Sequence, residues 1–140
     1  MNTPLTVECD IHIERRGHGA RKELEPTPPP PPAPAGRVPR VAKLMALAIQ
    51  FDGLLRCGAV TNYAELARLG HVTIARVSQV MSLLYLAPDI QEALLFLPRV
   101  ERGRDPIILR DLLPIAAELD WRRQRRMWGQ LADRRINTSD

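Results

Sequence analysis

Five consecutive prolines at positions 28–32, inside EPTPPPPPAPAG (25–36), constrain this chain more than any other feature. Each proline removes a backbone donor and fixes φ at about −65°, which shuts the run out of helix interiors and central strands and favours polyproline II. Such a run acts as a semi-rigid spacer. A ligand for a proline-binding groove is the sharper use of it, and nothing else in the chain has a eukaryotic look to support that use. The run sets three segments: 1–24, a proline-rich linker over 25–39, and 40–136.

The first segment alternates. In TVECDIHIERR, Val7, Cys9, Ile11 and Ile13 fall on one side and Glu8, Asp10, His12 and Glu14 on the other. Period two describes a short half-buried strand. Nothing else in the chain offers it a partner. Pairing with a second copy, addition to a partner's sheet edge and loose order all stay open. GHGARKELE, the next stretch, shows no clear pattern.

The third segment predicts an all-α, multi-helix domain. Apolar residues make up 45% of the chain and aromatics only 4%, so its core has to be aliphatic. From Arg40, the residues Val41, Leu44, Met45, Ala48, Phe51 and Leu55 recur at helical spacing, and Gly58 is a stop. Asn62 with Glu65 three residues on forms a capping-box pattern for a helix through TNYAELARLG. Thr73 caps a following helix that runs to about Leu84. Pro88 suits the first turn of a fourth helix ending before Pro98. LRDLLPIAAEL is helical if Pro114 lies near its first turn, because an interior proline costs about 3 kcal/mol. Asp120 caps a last helix, WRRQRRMWGQLADRR. No internal repeat is visible.

The helix after Thr73 has two unlike faces at 100° per residue. Ile74, Val77, Val80, Met81 and Leu84 converge on a core face. The other face carries Ala75, Gln79 and Ser82, flanked by Arg76 and Ser78, with no acid among them. Gln can pair with adenine and Arg with guanine in a major groove, and a small side chain such as Ala can meet a thymine methyl. Thr73 at the helix start can bond a phosphate. In the preceding helix Leu66 and Ala67 face inward, and Ala67 stands ten residues before Val77, the interval found in helix-turn-helix motifs.

AELARLGHVTIARVSQVM resembles a helix-turn-helix, and RVSQVMSLLYLAPDIQEAL resembles more narrowly the DNA-binding domain of the ParB/KorB plasmid-partition family. Val77, Gln79, Met81, Leu83, Leu84, Leu86, Pro88, Gln91 and Glu92 match that family's pattern in order. The match covers about residues 63–97, with a weaker continuation through LRDLLPIAAELDWRRQ. The resemblance implies DNA binding, and the expected DNA-binding set around the turn and the outer face is Asn62, Tyr63, His71, Thr73, Ile74, Ala75, Arg76, Ser78, Gln79 and Ser82. The sequence departs from the family at three places. His71 stands where the turn usually has Gly, unless the turn shifts onto Gly70. Gln79 replaces the usual Asn, so base preference does not carry over. The arginine-rich boxes of the family's nucleotide-binding domain have no counterpart, so the resemblance implies DNA binding and not CTP hydrolysis.

Charge and chemistry narrow the function. The net charge is +4 and the pI about 9.7, compatible with a polyanionic partner. From 61 to 86, however, Arg68 and Arg76 stand against Glu65, which gives little phosphate neutralisation. Residues 121–135 hold six arginines against Asp133, and Arg122, Arg125 and Arg126 share a helical face that either contacts phosphate or lies solvated beside the core anchors Trp121 and Trp128. A membrane-surface role for that helix lacks a second anchor. His12, His18 and His71 have no metal-ligand spacing. Cys9 and Cys57 form no CxxC, and Cys57 is a small hydrophobe at a helix end. No phosphate-cradling glycine loop or nucleophile elbow occurs. No enzyme activity, cofactor, metal or small-molecule substrate is therefore expected.

No run of 18 apolar residues and no secretory-signal order occur, which predicts a protein of the bacterial cytoplasm, nucleoid- or plasmid-associated. The expected partner is double-stranded DNA, read by a regulator or accessory factor of a plasmid or mobile element, in transcription regulation or partition. A homodimer on a two-part site is expected from groove spacing. The competing expectation is a non-catalytic adaptor that recruits a protein partner of the element through the N-terminal strand and the proline-rich segment.

Overall fold

The computed structural model describes residues 28–137. The strand expected within 1–24 lies outside them. The prolines at 28–32 are extended and exposed. The regular elements beyond them are all helical: α1 Arg40–Arg56, α2 Tyr63–Gly70, α3 Ile74–Met81, a 3-10 helix Ser82–Tyr85, α4 Pro88–Leu95, α5 Leu109–Ala117 and α6 Trp121–Arg135. The fold is all-α, and no strand occurs among the described residues.

The end of the proline-rich segment is fastened down. Arg37 and Val100 exchange backbone hydrogen bonds of 3.0 and 2.9 Å. Gly36, at φ +90°, sits so close to this bridge that a Cβ would meet the Val100 carbonyl oxygen at 3.0 Å. Pro39 precedes α1 and has no side chain with which to cap it. Asp105 does that work from a distant loop: its carboxylate accepts from the Arg40 amide at 2.8 Å and from the Arg37 guanidinium at 2.7 Å. The amide, ahead of the guanidinium, holds the Asp105 carboxyl below its ordinary range.

The local stop and start signals act where the sequence puts them. α1 and α2 close with the same bond pattern. Ala59 N–H reaches the Leu54 carbonyl and Gly58 N–H that of Leu55; Val72 N–H reaches Ala67 and His71 N–H reaches Arg68. These are Schellman closures, and each needs one left-handed residue. Gly58 supplies it at φ +77° and His71 at φ +52°. Gly70 stays in α2, so the turn does not shift onto it. Asn62, Thr73 and Asp120 accept from the amides of Glu65, Arg76 and Arg122 at 2.9, 3.1 and 2.9 Å. The Glu65 carboxylate returns to Thr61 rather than to Asn62.

Two expectations fail locally. The helix after Thr73 does not continue as an α-helix to Leu84; it tightens into the 3-10 helix from Ser82. Pro114 is the sixth residue of α5, well past its first turn. Its missing N–H costs the bond to Arg110, but α5 is held by burial of Leu109, Leu112, Ile115 and Ala116. Aliphatic side chains at about 1.5–3 kcal/mol each, summed over this set, outweigh that loss.

The core is aliphatic, and no aromatic side chain is fully buried among the described residues. It has two parts. The larger gathers Val41, Met45, Ala48, Leu83, Leu86, Ile90, Leu94, Ile107, Leu112 and neighbours from α1, α4, α5 and α6. The smaller holds Val60, Leu66, Ala67, Val77 and Met81, with Phe51, Leu54, Leu55 and Tyr63 against it. α3 bridges the two, sending Val80 into the larger and Val77 and Met81 into the smaller.

One buried polar side chain ties the larger part together. Gln124 of α6 is 0% exposed. Its Oε1 accepts from Ala87 N–H at 2.8 Å, and its Nε2 donates to the carbonyls of Tyr85 and Glu118 at 3.0 and 2.7 Å. Gln124→Leu keeps the volume and leaves these backbone groups without a partner. It is expected to lower unfolding free energy by about 2–4 kcal/mol. Gln50→Leu, at an exposed site on α1, should change it by less than about 0.5 kcal/mol. Urea denaturation of the two variants checks this.

Candidate nucleic-acid interface

α2 and α3 form a compact pair around residues 71–73. Leu66 and Ala67 of α2 pack with Val77 and Met81 of α3, and all four are buried. Ala67 has only a methyl where the two helices meet, so their backbones can approach closely. The pair rests on the last turns of α1 through Phe51, Leu54 and Leu55. Opposite that packing, Thr73, Ala75, Ser78 and Gln79 are exposed and Arg76 is half-buried. No acid stands on α3.

The residues singled out by their sequence pattern divide into several roles. Asn62 is a cap, and Tyr63 packs against the smaller core, which leaves its ring partly inside. Thr73 spends its oxygen lone pair on the Arg76 amide and keeps a hydroxyl proton to donate. Ile74 does not join the core face: it is 54% exposed. As the first residue of α3, it lies beyond the reach of the α2 packing that covers Val77. Ser82 leaves the outer face as well. It begins the 3-10 helix, and its hydroxyl donates back to the Gln79 carbonyl at 2.6 Å. His71 is exposed and holds the left-handed turn. Leu69, Val72 and Ile74, next to it in the chain, are exposed apolar side chains at the tip of the pair.

The arginines of α6 are not one uncommitted stripe. Arg125 pairs with Asp89 at 3.0 Å, with its guanidinium 6.0 Å from the Trp121 ring centroid. This partner raises the Arg125 pKa and lowers that of Asp89. Arg123 approaches Glu118 and Arg135 approaches Asp111, both at 3.9 Å. Arg122 and Arg126 are exposed and form no ion pair among the described residues. None of the hydrogen bonds or ion pairs of Arg122, Arg125 and Arg126 among the described residues reaches α2 or α3. Trp121 is exposed rather than a core anchor; Trp128 packs against the larger core. Cys57 is likewise exposed, its thiol directed at the Leu54 carbonyl.

Two cations that no sequence motif points to stand beside α3. A cleft of about 370 Å³ is lined by Arg76 and Gln79 together with Arg40 of α1 and Arg110 of α5. Arg40, Arg76 and Arg110 belong to three helices far apart in sequence, so no helical period could group them. No cluster of His, Cys, Asp and Glu among the described residues could hold a metal. No helix there is long and apolar enough to cross a membrane. No family model, curated protein or solved structure matches the chain.

The left-handed turn has a measurable cost. An L residue with a Cβ loses about 1–2 kcal/mol at such a φ, and Gly does not. His71→Gly is expected to raise stability by about 0.5–1 kcal/mol, the unfolded-chain entropy of Gly offsetting the remainder. His71→Val should lower it by at least about 1 kcal/mol, since β-branching is poorly tolerated there. The chemical-denaturation midpoints of the two variants should move in opposite directions.

Proposed function

We propose that the chain is a sequence-specific double-stranded DNA-binding protein that inserts α3 into the major groove, and that it serves a plasmid or mobile element as a regulator or accessory factor. The observation that carries this reading is the acid-free exposed face of α3, held out on a compact pair of helices. A helix that served only as core would have no need of an outer face made of Ala75, Ser78, Gln79 and Arg76 without one carboxylate. The ordered resemblance of residues 77–92 to the ParB/KorB DNA-binding domain supports the same reading.

In this mechanism the start of α3 approaches the duplex backbone. Thr73 donates its hydroxyl proton to a phosphate, and the exposed apolar tip, including Ile74, meets sugar and thymine methyls. Gln79 offers its amide as a bidentate pair to adenine, and Arg76 its guanidinium to guanine. Arg122 and Arg126 act as backbone contacts, because no acid among the described residues neutralises them. Arg125 contributes less, since binding a phosphate would break its pair with Asp89.

Selection from random duplex DNA at about 0.15 M salt, near physiological ionic strength, should enrich one defined motif with the wild-type chain. Gln79→Ala should cost about 1–3 kcal/mol and relax one base position. Enrichment of no motif, or an unchanged motif in Gln79→Ala, would remove α3 as the reader.

The α6 arginines separate in a salt titration. Arg122→Ala and Arg126→Ala should each lower the slope of log K against log salt by about 1, uniformly across sequences. Arg125→Ala should change it by clearly less. Equal slopes for the wild type and all three variants would take α6 out of the interface.

A further inference from the structure

The cleft beside α3 is built unlike a simple phosphate-contacting surface. Its wall presents three guanidinium-bearing residues, Arg40, Arg76 and Arg110, from three different helices. The lining contains one acid, Asp105, and that carboxylate is already occupied by the Arg37 guanidinium and the Arg40 amide. Arg76 and Arg110 form no ion pair among the described residues. Asp105 also acts on the charge of Arg40, so Arg76 and Arg110 are the cations of the lining without an ion-pair partner among the described residues, and an anion seated beside them supplies one. The other part of the lining is apolar: Leu44 of α1 and Leu113 of α5. Gln79 adds a side-chain amide that can both donate and accept. An inorganic anion would use the guanidiniums and leave the leucines and the amide idle. The volume, about 370 Å³, is at the lower end of those that hold small organic ligands.

We infer that this cleft binds a small phosphorylated ligand that carries a flat heterocycle, of the nucleoside monophosphate class, and that its occupancy excludes duplex DNA from α3. The phosphate lies between Arg40, Arg76 and Arg110, in charge-assisted hydrogen bonds. The ring lies against Leu44 and Leu113, with its polar edge at Gln79. Exclusion follows because Arg76 and Gln79 cannot serve the ligand and a base pair at once. The site is independent of the DNA reading; only the exclusion rests on it.

The test is isothermal titration of the full chain, at about 0.15 M salt, with each of the common ribonucleoside monophosphates and with inorganic phosphate. It is repeated on Arg110→Ala, whose exposed position on α5 leaves the core untouched and whose thermal midpoint is checked beside the wild type. At least one nucleotide should bind with Kd below about 1 mM, at least about tenfold more tightly than inorganic phosphate, and lose about tenfold or more in Arg110→Ala. Three results overturn the site: no nucleotide binds below about 1 mM, inorganic phosphate binds as well as the nucleotides, or Arg110→Ala binds as the wild type does. Competition with a labelled duplex separates the two proposals. Displacement by the bound nucleotide supports exclusion, and simultaneous binding overturns it. Nucleotide binding by a chain that retains no duplex would leave the cleft standing and overturn the DNA reading with the exclusion. Duplex binding without nucleotide binding would do the reverse.

Discussion

Three hydrogen bonds from one amide hold this domain's geometry. Gln124 reaches from α6 to the amide that opens α4, to the carbonyl that ends the 3-10 helix and to the carbonyl just past α5. A second amide works on the same junction from the other side: Gln91 donates to the carbonyls of Leu84 and Leu86 at 3.0 and 2.9 Å. The chain between 82 and 88 changes from α to 3-10 to α in a few residues, which strips several carbonyls of their helical partners. The junction's bonds to side-chain amides are buried or part-buried, where access to water is limited. The two glutamines replace it, and no buried side-chain polar atom among the described residues lacks a partner. Because Ser82 comes directly after α3, fixing this junction also fixes where α3 ends and which way its outer face looks.

α3 is short, eight residues, and could not persist alone. Its stability comes from standing between two groups of apolar side chains, with Val80 on one side and Val77 and Met81 on the other. That arrangement uses up the inward half of the helix and leaves the outward half free of any structural duty. A face with no packing role can carry side chains chosen for a partner, and the proposed function uses this freedom. The closure of α2 at His71 belongs to the same design, since the tight left-handed turn keeps α2 and α3 close enough for Ala67 to meet the α3 packing.

Much of this is legible in the sequence because it is decided locally. Asn62, Thr73, Gly58 and Asp120 act through bonds spanning a few residues and Pro88 through its own fixed φ at the first helical position, so their identity and spacing foretell the helix limits. The helical recurrence from Val41 to Leu55 foretells the buried side of α1. A helical wheel misplaces Ile74, Trp121 and Ser82 because it assigns faces without knowing where the neighbouring element stops. Ile74 and Trp121 are first residues of their helices, where the cover runs out. Ser82 falls where the helix tightens and its side chain turns back. Pro114 misleads because the burial that outweighs its missing bond is tertiary. Gln124 carries no signal at all: an amide in an arginine-rich helix looks like surface until the junction it satisfies is known.

Charge shows the same division between local and tertiary causes. Counted along the sequence, the arginines of 121–135 look like the basic part of the molecule. In three dimensions Asp89, Glu118 and Asp111, all outside that window, approach Arg125, Arg123 and Arg135. The helix with most arginines is therefore partly compensated, whereas the stretch around α3, poor in charge by sequence, gains Arg40 and Arg110 from helices that fold beside it, with Asp105 of the same lining acting on Arg40. Electrostatic attraction for a polyanion depends on uncompensated charge at short range, not on composition. The α3 face and the cleft beside it thus share Arg76 and Gln79, and the two proposals, for a long anion and for a small one, meet at these two residues.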